Sequence, residues 1–149
     1  MNENKVLKLK IATQARLVEE KEIEKITIPT ESGVITILKD HIPLIATICP
    51  GILSIVDGKG DLTEIAISGG FLELHENELT ILADTAERAE EIDVERAEEA
   101  RKRAADAKQT QRKSMDETQF ATILSRLDKQ SARLKLAKKY RGKGTSRMR

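Results

Sequence analysis

Leu82-Ala-Asp84 leads into Ala86-Glu-Arg-Ala-Glu-Glu-Ile-Asp-Val-Glu-Arg-Ala97, and the character of the chain changes there. Upstream, residues 5–83 are rich in Ile, Val, Leu and Thr, in short runs separated by turn residues. Downstream, Thr85 to Lys113 holds no Gly or Pro and is dominated by Ala, Glu, Arg and Lys, all strong helix formers. The formal charge changes as well. Residues 1–86 carry 8 Lys/Arg against 14 Asp/Glu, a balance of −6, whereas residues 87–149 carry 18 against 11, a balance of +7. Two parts of opposite sign predict two structural units with different partners.

The first part reads as strands. Leu7, Leu9 and Ile11 alternate with Lys8 and Lys10, the period of a half-buried strand. Arg16 to Glu19 is a further short candidate, and Ile26 and Ile28 alternate up to Pro29. Glu31-Ser-Gly33 is a turn signal before Val34–Leu38, Cys49-Pro50-Gly51 turns between two apolar runs, and Asp57-Gly-Lys-Gly-Asp61 has the composition of a hairpin loop. Runs at 62–67, 71–74 and 78–82 complete eight to ten short strands, which predict a sandwich or flattened barrel. Phe71 is the one aromatic residue of this part, too few for a base-stacking platform, and the acidic balance opposes phosphate binding; nucleic acid is not expected as a partner.

The second part reads as two helices. Val94, Ala97, Ala100, Ala104 and Ala107 recur at three- and four-residue steps and share a narrow, mostly alanine face on a first helix over 85–113. Ser114-Met-Asp-Glu117 has the form of a capping box for a second helix over about 115–140. Its face is stronger: Phe120, Ile123, Leu124, Leu127, Leu134 and Ala137, with Gly142 and Gly144 expected to stop it. Alanines facing larger residues suit a close antiparallel hairpin, but each alanine buries little area. Such a hairpin needs a partner surface, or it opens. Nine basic residues and no acidic ones follow from Lys129 to Arg149. The expected units are thus 1–86, a β-sandwich; 87–141, a helical hairpin; and 142–149, a basic flexible tail.

Catalytic chemistry has little to draw on. His41 and His75 are the two histidines, and a structural hydrogen bond is the expected role of His41. Cys49 is a lone cysteine, so neither an intramolecular disulfide nor a cysteine zinc site is available, and it reads as a small hydrophobe. Gly69-Gly70 has no Lys-Ser/Thr after it and opens no helix, so it reads as close packing or a bulge in a strand. Metal ligands, an enzyme site and a required cofactor are not expected. The longest apolar stretch, residues 42–56, is broken by Pro43, Pro50 and Gly51, so no membrane-spanning helix is expected, nor is a signal segment at the basic N-terminus. A reducing compartment is expected, with the protein soluble or peripheral.

Several motifs occur together in a characteristic order: Gly33-Val-Ile-Thr-Ile-Leu38 followed by His41-Ile-Pro-Leu44, then Pro50-Gly51, Ile67-Ser-Gly-Gly-Phe-Leu-Glu73, and the Leu82 to Ala97 segment. In these the chain resembles, from Val6 to Tyr140, the epsilon-subunit family of bacterial rotary F-type ATP synthases. The resemblance implies a ten-stranded β-sandwich followed by a two-helix hairpin, in a non-catalytic central-stalk (rotor) subunit. The sandwich would hold the gamma subunit and touch the ring of c subunits, coupling proton transport to ATP synthesis. The hairpin would lie folded on the sandwich or extend toward the alpha and beta subunits, where it inhibits ATP hydrolysis. The location implied is the cytoplasmic face of the bacterial cell membrane, peripheral to it through the complex.

Some members of the family bind ATP on the folded hairpin as a regulatory ligand. Their motif stands here as Ile92-Asp93-Val94-Glu95-Arg96-Ala97, and the resemblance carries over Glu87, Ile92, Asp93, Arg96, Ala97, Arg103, Lys129 and Arg133 as contacts. Four departures stand out. Lys129 replaces an arginine, a point charge in place of a bidentate fork. Ala121 and Thr122 occupy positions often basic in binders, Lys39-Asp40 replaces a small turn before His41, and the basic end beyond Tyr140 is longer. On the residues alone, Asp93 as a helix cap and Arg96 as an ion-pair partner remain open. An alternative from another class is a free-standing β-sandwich interaction module whose basic helical arm binds RNA or acidic proteins.

Overall fold

The computed structural model describes residues 6–111 and 116–145. Ten strands come first: β1 (Leu7–Ala12), β2 (Leu17–Ile23), β3 (Lys25–Thr30), β4 (Gly33–Leu38), β5 (Leu44–Ile48), β6 (Gly51–Val56), β7 (Leu62–Ile67), β8 (Gly70–His75), β9 (Glu78–Ala83) and β10 (Ala86–Arg88). A single 3-10 turn, Ala89–Glu91, joins them to α1 (Val94–Gln111) and α2 (Glu117–Thr145). The strands pair in the order β10-β7-β6-β3-β5-β8-β9-β1-β2, with β4 on β3. Most neighbours are antiparallel; β1 and β9 run parallel, Leu9 opposite Leu79. The ends of the path meet through side chains: Lys21 Nζ of β2 donates to Thr63 Oγ1 of β7 at 3.1 Å, and Arg88 of β10 pairs with Glu19 of β2 at 2.7 Å. The sheet therefore folds over into a barrel-like sandwich.

Alternation places the core. Leu7, Leu9 and Ile11 are buried and Lys8 and Lys10 exposed, and the same period brings Ile26, Ile28, Leu53, Ile55, Leu72 and Leu74 into one apolar cluster. Each such side chain is worth about 1.5–3 kcal/mol when fully buried, so this cluster carries the sandwich. Gly70 explains the expected close approach. Its φ is +137°, and a Cβ there would lie 2.1 Å from the Leu82 carbonyl oxygen of the adjacent β9. His41 Nδ1 lies 2.7 Å from the Ile42 carbonyl oxygen, the structural role expected of it. Lys39-Asp40 also gains an explanation. Asp40 takes a left-handed φ of 60°, its N–H donates to Asn77 Oδ1 at 2.6 Å, and Asn77 Nδ2 donates to Asp40 Oδ1 at 3.0 Å. This exchange supports a conformation glycine would otherwise supply.

The helical part departs from expectation at both ends. Residues 85–93 form no α-helix: strand β10 and the 3-10 turn occupy most of them. Ala86, Glu87 and Arg88 pair with Ile67, Ala66 and Ile65, so the sheet takes their backbone groups and overrides a helix-forming composition. Ser114 lies outside the described residues, and with it the capping box expected there. At the start of α2, Asp116 Oδ1 accepts from Gln119 N–H at 2.8 Å. Gly142 and Gly144 do not stop α2, which continues to Thr145. Neither takes a positive φ, and a glycine in a helix costs only about 1 kcal/mol. Strand β2 is longer than the 16–19 candidate, because its charged run Glu19-Glu20-Lys21-Glu22 lies at an end of the strand order, where charge is tolerated.

Helices α1 and α2 pack on each other, and α2 also packs on β6, β7 and the 3-10 turn. Ala97 is fully buried, and Ala100, Ala104 and Ala107 are half-buried on the face the spacing predicts. On the sandwich side, Leu136 and Ala137 meet Ala66 and Ile92, with Ile52, Ala89 and Val94 around them. No helix among the described residues is long and apolar enough to cross a membrane.

Candidate functional site

The chain leaves the sandwich through a charged clasp. Arg16, at the end of the β1–β2 turn, donates through Nη2 to both carboxylate oxygens of Glu91, at 2.9 and 2.8 Å. Arg88 N–H donates to the same carboxylate at 3.2 Å. The Arg16 hydrogen bond chiefly holds the Glu91 carboxyl below its usual range, against desolvation that pushes it up and with help from the Arg88 backbone bond and both positive charges. Arg88 in turn pairs with Glu19. Two arginine–carboxylate pairs, Arg16–Glu91 and Arg88–Glu19, thus tie β10 and the 3-10 turn to the β1–β2 hairpin.

Beyond the clasp, Ile92 is buried against α2 and Asp93 opens α1. Asp93 Oδ1 accepts from Arg96 N–H at 3.1 Å and its carbonyl from Ala97 N–H at 3.0 Å, an N-cap by geometry. Asp93 and Ile92 are therefore occupied by folding roles in this state. The other open reading, an ion pair at Arg96, is not seen among the described residues.

Of the candidate contacts, the fold brings Glu87 and Arg133 into direct contact. Arg133 of α2 donates through Nε and Nη2 to the two carboxylate oxygens of Glu87 on β10, the second at 3.1 Å, and through Nη1 to Gln130 at 2.9 Å. Arg133 therefore spends its fork on a carboxylate. Further along α2, Lys139 pairs with Glu64 of β7 at 2.6 Å. Arg96 and Arg103 are exposed on α1 and Lys129 half-buried on α2, and none of the three forms an ion pair among the described residues. The basic candidate contacts are thus divided: Arg133 reaches the sheet edge, whereas Arg103 lines a cleft between the helices. Arg126 and Gln130 line that cleft too. Sequence reasoning named neither; the one available signal was their spacing of four, which puts them on one face of α2.

A second surface lies on the outside of the sheet. Phe71 of β8 stands opposite Leu82 of β9, and Ile45 of β5 is diagonal to Phe71; the three are 61%, 59% and 75% exposed. Side chains of neighbouring strands on one face lie close enough to form a continuous patch. No group of three or more potential metal ligands occurs among the described residues.

Residues 6–89 match the family described as ATP synthase, Delta/Epsilon chain, beta-sandwich domain. Similarity extends over the helices. The ATP synthase epsilon chain of Herpetosiphon aurantiacus is 41% identical over 92% of this chain and 98% of its own. That of Caldanaerobacter subterraneus subsp. tengcongensis is 39% identical over 92% and 97%. Among solved structures, a chain of the Euglena gracilis mitochondrial ATP synthase superposes with a TM-score of 0.71 at 26% identity, covering 86% of this chain and 79% of that one. A chain of the Tetrahymena thermophila ATP synthase shares the fold, with a TM-score of 0.53 at 15% identity. Fold, motif order and near-complete coverage agree, and the chain belongs to the ATP synthase epsilon chain family, a non-catalytic subunit of the F-type complex.

Proposed function

We propose that this epsilon chain, a component of the central stalk, acts as both coupling element and brake. Its sandwich would bind the gamma subunit and meet the c ring, carrying torque between proton flow and the catalytic sites of the other subunits. The exposed patch of Ile45, Phe71 and Leu82 supports a protein partner on the outer sheet face. The complex would lie at the cytoplasmic face of the bacterial membrane. The helical hairpin would inhibit ATP hydrolysis when it leaves the sandwich and reaches the alpha and beta subunits, its basic α2 meeting acidic surface.

One observation carries the regulatory reading. Helix α2 is held on the sandwich by a small apolar contact centred on Leu136 and Ala137, with two ion pairs, Arg133–Glu87 and Lys139–Glu64. A contact that small leaves the folded state a few kcal/mol from an open one, within reach of a ligand or partner. A regulatory ATP would bias the balance toward the folded state by holding both helices. Deleting residues 94–149, which spares β10 and the clasp, tests the brake in the assembled complex. ATP hydrolysis is expected to rise; an unchanged rate overturns the inhibitory role and leaves the coupling role standing.

A further inference from the structure

We propose that the Arg16–Glu91 and Arg88–Glu19 pairs are a fixed anchor that places the swivel of the hairpin at Ile92, so that β10 and the 3-10 turn stay on the sandwich when the helices leave it. The inference rests on the reading that the hairpin opens, and adds where it opens.

The bonds on either side of Ile92 point in opposite directions. Glu91 bonds backward: its carboxylate accepts from Arg16 of the β1–β2 turn at 2.8 Å and from Arg88 N–H at 3.2 Å. Asp93 bonds forward, its side chain accepting from Arg96 N–H and its carbonyl from Ala97 N–H. Glu91 is therefore fixed to the sandwich and Asp93 to α1. Between them Ile92 is extended, with φ −82° and ψ 115°, and its N–H reaches the Ala89 carbonyl oxygen at 3.3 Å. Its side chain is buried beside Leu136 and Ala137, so undocking of α2 uncovers it. A few torsions at the end of an element suffice to swing a rigid unit.

Without the anchor the break would fall earlier. Strand β10 has three residues, ends the strand order and pairs with β7 alone, so few backbone bonds resist its peeling. Glu87 also ties it to α2 through Arg133. A departing helix thus pulls on β10 at Glu87. Arg88 and Glu91 hold the chain immediately beyond that point, the Arg88 pair at 2.7 Å on a Glu19 side chain only 12% exposed. Both holding partners, Arg16 and Glu19, belong to the β1–β2 hairpin at the other end of the strand order.

Native-state hydrogen exchange of the full chain tests this. Leu136→Asp places a charge in the docking contact, and Arg133→Gln with Lys139→Gln removes its two ion pairs as a milder second route. In both, amides of α1 and α2 should exchange about tenfold faster or more, with β8 and β9 unchanged as the sign of an intact sandwich. The amides of β10 should stay within about twofold of the parent. Adding Arg16→Gln with Glu19→Gln leaves the sequence of β10 and its turn untouched, yet should speed β10 exchange about fivefold or more. The exposed pair Lys8–Glu78, removed by Lys8→Gln with Glu78→Gln, is the control and should leave β10 unchanged. Exchange of β10 that quickens with the helices while Arg16 and Glu19 are intact overturns the inference and leaves the opening itself standing. A β10 as slow without Arg16 and Glu19 as with them, or as fast in the control, also overturns it. Helices that stay protected in both undocking variants overturn the opening, and the swivel with it.

Discussion

Arg133 and Glu87 form a two-pronged ion pair across the junction of helix and sheet, Nε donating to one carboxylate oxygen and Nη2 to the other. Their side chains are 15% and 29% exposed, so water competes only partly for these bonds. Removing one partner leaves the other charge half-buried and unpaired. Arg133→Gln or Glu87→Gln is expected to weaken docking of α2 by about 1–3 kcal/mol. Hydrogen exchange reads this directly: amides of α2 should exchange faster, with those of β1 and β9 unchanged. Unaltered exchange in α2 would show that the apolar contact alone holds the helix.

The clasp at Arg16 and Glu91 gives stability a specific pH dependence. The native Glu91 carboxyl titrates below its usual value of 4.5, chiefly because Arg16 hydrogen-bonds the charged form. Its contribution is therefore complete above that usual value and fades as the pH falls through the lower native one. Glu91→Gln should be less stable than the parent at neutral pH, the difference shrinking progressively below about pH 4.5. Urea unfolding at a series of pH values checks this; a difference that stays constant into the acid range contradicts it.

Two glycines make a paired test of the sandwich. At Gly70 an added Cβ meets the Leu82 carbonyl oxygen and the Ala83 Cα, 2.1 and 2.9 Å away, in a backbone with positive φ. Gly70→Ala should cost about 3 kcal/mol or more. Gly58 has open space around its Cβ direction and an ordinary φ, so Gly58→Ala should stay within about 0.5 kcal/mol. Thermal unfolding of the two variants distinguishes these outcomes.

Strand alternation made most of the sandwich legible: Leu7, Leu9 and Ile11 point inward as their spacing requires. What alternation could not show was decided by tertiary pairing. Residues 86–88 carry a helix-forming composition but complete the edge beside β7, and charged β2 survives as a strand because it ends the order. Leu136 was absent from the expected face of α2 because that helix has two partners, and Leu136 serves the sandwich. The Glu87 and Arg133 positions came from resemblance, and composition gave no sign that they would meet. Arg126 and Gln130 were hidden for a related reason: a cleft belongs to two helices, and a single helix face does not reveal what lies opposite.

On the function proposed above, undocking of the hairpin brakes ATP hydrolysis. Ala66 and Ala137 pack in one cluster between β7 and α2, so Ala66→Cys with Ala137→Cys, in a Cys49→Ala background, can tie the hairpin down by oxidation. The direct measurement is the ATP hydrolysis rate of the complex carrying this chain, oxidised and then reduced, with the disulfide verified in each sample. A faster oxidised complex that slows on reduction is the predicted result. Equal rates in the two states, with the disulfide formed, would contradict the claim.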